Sequence, residues 1–141
     1  MQKTIPATSV SNPALWTGRI ISALVVLFLI MDGIMKLVPL AAVTETMQQL
    51  GYSGTASQAR GLGVLVLACT ALYAFPRTSV LGATLLTGLL GGAIATHLRV
   101  GSPMFSHLLF GAYLGLLAWG GLFLRDRGVR SLIPLRAKDD R

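Results

Sequence analysis

Asp32 and Lys36 stand four residues apart, late in an apolar run that begins at Ile20. With a helical rise of about 1.5 Å per residue and the run starting at one bilayer edge, Asp32 lies roughly 18 Å in and Lys36 roughly 24 Å in, inside a hydrocarbon core about 30 Å thick. Ionisable groups at that depth are costly, turn toward protein or water, and mark function by default. The other apolar runs give the same answer when measured from their far edges. His97 lies seventeen residues beyond Val80 and His107 seventeen before Leu124, so both reach roughly 25 Å, and Arg60, fifteen before Phe75, reaches roughly 22 Å. Lys36, Arg60, His97 and His107 thus arrive in one layer from four separate runs, with Asp32 below and Arg99 just above. Lys36, Arg60 and Arg99 against Asp32 and Glu45 leave that layer net positive before either histidine protonates. Such a pocket suits an anion or the carbonyl head of a lipid-soluble quinone, with a histidine or Asp32 relaying a proton.

Each residue also has a plainer use. Asp32 and Lys36 can neutralise one another on one helix face, and Arg60 and Arg99 at helix ends can act as snorkelling anchors. The spacing of His97 and His107 matches no established ligand arrangement, so a hydrogen-bonded pair lining the site is expected and a metal site is not. Cys69 is the single cysteine, mid-run in an apolar stretch, which excludes an intrachain disulfide and a CxxC redox motif and reads as a packed apolar residue. No nucleophile triad, phosphate loop or cofactor fingerprint accompanies the layer, so no catalytic residue is assigned.

The composition says what must hold these residues. Hydrophobic residues make up 53% of the 141 and charged residues 12%, far from a soluble globular chain. The net charge of +7 carries no basic stripe with interleaved aromatics; the basic residues cluster at the ends of apolar runs, which excludes nucleic acid as the partner and points to membrane lipids.

The expected architecture is all-α, an integral membrane four-helix bundle. Residues 1–12 are expected to form a mobile tail, 13–127 the transmembrane domain and 128–141 a basic cytoplasmic tail. Asn12-Pro13 reads as an N-cap with proline at the first helical position, Trp16 and Arg19 as interfacial anchors, and Pro39 as the end of a first, retained span over about 14–38. Leu40, Val43, Met47 and Leu50 recur at helical spacing beside polar residues, predicting a short interfacial helix between spans 1 and 2, closed by Gly51. Thr55 to Gln58 has capping-box spacing and opens the second span, which Pro76 stops. The third span is expected over about 79–98 and the fourth from a Ser102-Pro103 cap to Leu124. Gly88, Gly91 and Gly92, and Gly111 and Gly115, read as helix-packing glycines; they leave a homo-oligomer open.

With four spans, Lys3, Arg19, Arg77, Arg125, Arg127, Arg130, Arg136, Lys138 and Arg141 share one side, and Lys36, Arg60 and Arg99 the other. Nine of the 12 basic residues on one side place both termini in the cytoplasm by the positive-inside rule.

Residues 19–37, ending in Asp-Gly-Ile-Met-Lys-Leu, the turn from His97 through Leu98-Arg99-Val100-Gly101-Ser102-Pro103 to His107, and Leu116-Leu117-Ala118-Trp119-Gly120-Gly121 resemble the DoxX-like family of small four-span bacterial membrane proteins. The resemblance covers about residues 16–130. It implies a bacterial inner-membrane location and kinship with a membrane subunit of thiosulfate:quinone oxidoreductase. Two readings follow. One is a quinone-linked redox subunit, with no cofactor in the chain itself, a quinone or small anion bound in the charged layer, and electrons supplied by a redox partner protein. The other is a non-catalytic scaffold or binder of small hydrophobic molecules.

Overall fold

The computed structural model describes residues 12–38 and 40–132. Helix α1 spans Asn12–Leu37, α2 Ala41–Gln49, α3 Ala56–Ala74, α4 Ser79–Arg99, α5 Phe110–Arg125 and α6 Arg127–Leu132, with a wider π-helical turn over Met104–Leu108 leading into α5. Four helical segments are long and apolar enough to cross a membrane: α1, α3, α4 and the π turn with α5. The fold is the all-α membrane bundle that the composition demands. Proline at position 39, read as the end of the first span, lies outside the described residues, as do residues 1–11 and 133–141.

On α1, the positions Gly18, Ser22, Val25, Leu29 and Gly33 are buried, whereas Trp16, Ile20, Leu24, Leu27, Met31 and Ile34 are exposed. Both sets recur every three to four residues, so one apolar stripe faces protein and the other faces the surroundings, which for a spanning helix is lipid. Helix α1 packs on α3 and α5, and α4 packs on the same two, so α1 and α4 sit diagonally across the bundle.

Close approach is set by glycines where backbone meets backbone. A Cβ at Gly18 would lie 2.8 Å from the Gly121 carbonyl oxygen, one at Gly63 would lie 2.8 Å from the Gly33 oxygen, and one at Gly82 would fall on the backbone of Tyr73. These contacts replace the expected ones. Gly88, Gly91 and Gly92 have nothing within 4 Å of a Cβ and so do not pack within the chain, while Gly111 does press on α4 at Leu90 and Ile94. The spacing of Gly88 and Gly92 gives a small-residue face, but α3 and α5 take other faces of α4.

Tyr73 holds three spans together. Its hydroxyl lies 3.0 Å from Ser22 Oγ on α1 and donates to the Ala118 carbonyl on α5 at 2.8 Å, while its own carbonyl accepts from Arg125 at 3.0 Å. The Arg125 guanidinium also lies over the Tyr73 ring. In a lipid-surrounded interior every one of these polar atoms needs a partner from protein, and Tyr73 and Ser22 supply them to one another. The segment read as the start of the basic tail folds too. Asp126 accepts from the backbone of Gly128 and Val129, Val129 is buried, and Arg130 donates to the carbonyls of Phe123 and Leu124 at the open end of α5. Arg125 and Arg130 therefore do structural work that an orientation signal alone does not require.

Of two expected caps, one forms in part and the other takes another partner. Thr55 Oγ1 does accept from Gln58 N, but the Gln58 carbonyl oxygen accepts from Ser53 rather than closing the box on Thr55. Ser102 does not cap the fourth span; its hydroxyl bonds His97 instead, and the chain enters α5 through the π turn, in which Leu108 N and Leu109 N donate five residues back. The start of the fourth span thus serves the site.

Candidate functional site

The bundle interior opens at the end that carries α2. On α1 the buried stripe of Gly18, Ser22, Val25 and Leu29 continues, at spacings of three and four, to Asp32 and Lys36. Those two form an ion pair, with side chains 34% and 26% exposed respectively. On α4 the stripe of Ser79, Ala83 and Leu86 continues through Leu90 and Ile94 to His97, and on α5 Gly111, Leu114 and Ala118 extend back to His107. Asp32, Lys36 and His97 therefore lie on interior-facing rows where burial falls off, while His107, in the π turn, is exposed.

Arg60 does not. It follows the buried Ala59 by one position and is exposed, off the α3 stripe of Ala59, Gly63 and Val66. Arg99 is also exposed, but it is engaged: its guanidinium donates to the Leu50 carbonyl at 2.8 Å and lies against Gly51. Gly51 has φ +81°, and a Cβ there would come within 2.8 Å of that guanidinium, so both the backbone conformation and the contact select glycine. With Tyr52 Oη 3.3 Å from Thr96 Oγ1, these bonds tie the end of α2 to the end of α4.

Beneath that tie is a cavity of about 320 Å³ lined by Thr46, Gln49, Leu50, His97, Val100, Ser102, Pro103 and His107. The two imidazoles stand 5.8 Å apart, centroid to centroid, tilted by 55°. His97 Nδ1 is 3.0 Å from Ser102 Oγ and His107 Nδ1 is 2.7 Å from Ser106 Oγ. Each ring is thus oriented through Nδ1, and with Nδ1–H donating to the hydroxyl, Nε2 keeps its lone pair. The structure brings together His97 and His107 of the expected layer, with Arg99 bracing the roof. Asp32 and Lys36 pair on their own helix, and neither they nor Arg60 line this cavity.

The serines were not singled out by sequence reasoning as parts of the site, whereas residues 40–50 were expected as its roof. Ser102 stands five residues after His97 across a turn, a signal visible only once Gly101, with φ +68°, is known to fold the chain back. Among the described residues no group of three or more His, Cys, Asp or Glu is placed to hold a metal ion.

A profile of the DoxX-like family matches residues 20–121. The chain belongs to the DoxX-like family. With four spanning segments it is a multi-pass membrane protein of that family. The matched region contains Asp32, Lys36, Arg60, His97, Arg99 and His107, whereas Arg125, Arg130 and α6 fall beyond it. No curated protein and no solved structure matches the chain.

Proposed function

We propose that the cavity beneath α2 binds the head of a lipid-soluble quinone and that the chain serves as the membrane subunit of a quinone-linked redox system. The paired histidines carry this reading. In the tautomer in which the serine hydroxyl donates to Nδ1, each Nε2–H can donate to a carbonyl oxygen, as can the Gln49 amide, and Leu50, Val100 and Pro103 supply an apolar wall. A small anion, the other occupant that the charged layer suggests, is the poorer fit. Asp32 neutralises Lys36, Arg99 is committed to Leu50, and among the described residues no Lys or Arg lines the cavity. Reduction of a quinone to a quinol takes two electrons and two protons; the histidines can pass protons, and a partner protein supplies the electrons.

Expected on this reading is a quinone in the organic extract of protein purified in mild detergent. His97→Ala should weaken binding of a short-chain quinone about tenfold, the worth of one hydrogen bond of roughly 1–1.5 kcal/mol, with the thermal midpoint unchanged. Equal retention by wild type and variant would leave the scaffold reading in its place.

We also propose that the end of the bundle opposite α2, with Arg19, Arg77, Arg125, Arg127 and Arg130, faces the cytoplasm of a bacterial inner membrane. A cysteine introduced as Arg77→Cys should then resist a membrane-impermeant thiol reagent in intact cells and react after lysis. Native Cys69 is buried and gives no background. Labelling from outside would invert the topology and put the histidine cavity on the cytoplasmic side.

A further inference from the structure

The two histidines have a second use that their spacing in the sequence hides. We infer that His97 and His107 clamp a late first-row divalent ion such as Zn²⁺ between their Nε2 atoms, in the same cavity but independently of the quinone reading. Zinc sits about 2.0–2.1 Å from an imidazole nitrogen, which puts each ring centroid about 3.2 Å from the ion, so a tetrahedral pair has centroids roughly 5.2 Å apart. With both Nε2 atoms turned to the ion, the observed 5.8 Å corresponds to an angle near 130° there. The rings come from two separate segments, the end of α4 and the π turn, and each is oriented by a serine hydroxyl at Nδ1. With Nδ1–H donating to the serine, Nε2 is free to act as a ligand, the arrangement outer partners hold around metal-bound histidines. Thr46 and Gln49 place oxygen atoms on the cavity wall, and water completes the shell. Among the described residues no Lys or Arg lines the cavity to repel a cation. Two imidazoles favour Zn²⁺ or Cu²⁺ over Mg²⁺ and Ca²⁺, which prefer oxygen.

The test is Zn²⁺ titration of the full chain in detergent, stripped of quinone and followed by calorimetry and by metal content after desalting. One ion per chain is expected, with Mg²⁺ unable to displace it. His97→Ala and His107→Ala should each lower the affinity at least about tenfold, and Ser102→Ala, which leaves both ligands in place, by about tenfold through loss of ring orientation. His97→Gln, closer in polarity, guards against misfolding, and each variant is compared at an unchanged elution volume and thermal midpoint. Zinc uptake equal in wild type and both histidine variants, or none at one equivalent, would overturn the proposal. Because no quinone is present in the assay, either result leaves the quinone reading to its own test. If both hold, added Zn²⁺ competes with the quinone.

Discussion

Gly82→Val is expected to remove the folded bundle. A side chain there meets the backbone of Tyr73 and comes within 2.6 Å of the Leu72 carbonyl carbon, and backbone cannot swing aside as a side-chain tip can. Helices α3 and α4 are joined by a turn of four residues, 75–78, in which Thr78 Oγ1 donates to the Leu72 carbonyl, so the two cannot splay without breaking that bond. Moving α3 instead pulls the Tyr73 hydroxyl from Ser22 and Ala118. Overpacking costs about 1–3 kcal/mol where side chains can yield, and a backbone contact tied to buried hydrogen bonds belongs at about 3 kcal/mol or beyond. Thermal unfolding in detergent should show a large fall in midpoint or no folded protein. Gly88→Ala is the control: nothing stands within 4 Å of that position, and its midpoint should move by less than about 1 kcal/mol's worth, upward if helix propensity decides. A Gly82→Val protein as stable as wild type would mean that α3 and α4 do not meet as described.

The second large effect concerns the ion pair of Asp32 and Lys36. Each single neutralisation, Asp32→Asn or Lys36→Met, should lower expression and thermal stability more than the double variant does. A lone charge within a spanning helix costs roughly 2.5–3.5 kcal/mol at the bilayer centre, and less here because both side chains keep about a quarter to a third of their surface. The base of the Lys36 side chain packs against α3 at Gly63, where an added Cβ would lie 3.1 Å from the Lys36 Cβ. Single variants as stable as wild type would show the pair to be solvated, and a double variant worse than both would show that each charge has its own role.

What the sequence reveals here is depth, and what it hides is rotation. Counting residues along the spans put Lys36, His97 and His107 in one layer; the interior stripes carry Lys36 and His97, and the π turn brings the exposed His107 beside His97. Arg60 belongs to the same layer by count, yet it stands one position off the α3 stripe, a displacement of about 100° around a helix that depth cannot register. The diagonal relation of α1 to α4 is likewise a property of packing order, and it separates His97 from the Asp32–Lys36 pair. Glycine spacing misled in a related way. Gly88 and Gly92 form the more obvious pattern, but the working contacts are made by Gly18 and Ser22, and by Ala59 and Gly63, pairs four apart in which only one member is glycine. The spans themselves, the short α2 and its Gly51 stop were readable because hydropathy and turn chemistry are local.

The bonds around Tyr73 also bear on how the protein is made. Spans leave the ribosome in order, and Ser22 and Tyr73 are both in place once α3 has been inserted, whereas the Ala118 carbonyl and Arg125 arrive only with α5. Until then the Tyr73 hydroxyl has one partner of its two, and the α1 face at Gly18 that will receive Gly121 is bare. A nascent chain halted after the third span thus presents lipid with an uncapped carbonyl and an open groove. Insertion of α5 supplies both missing partners at once, so the bonds around Tyr73 close only when that span is in place.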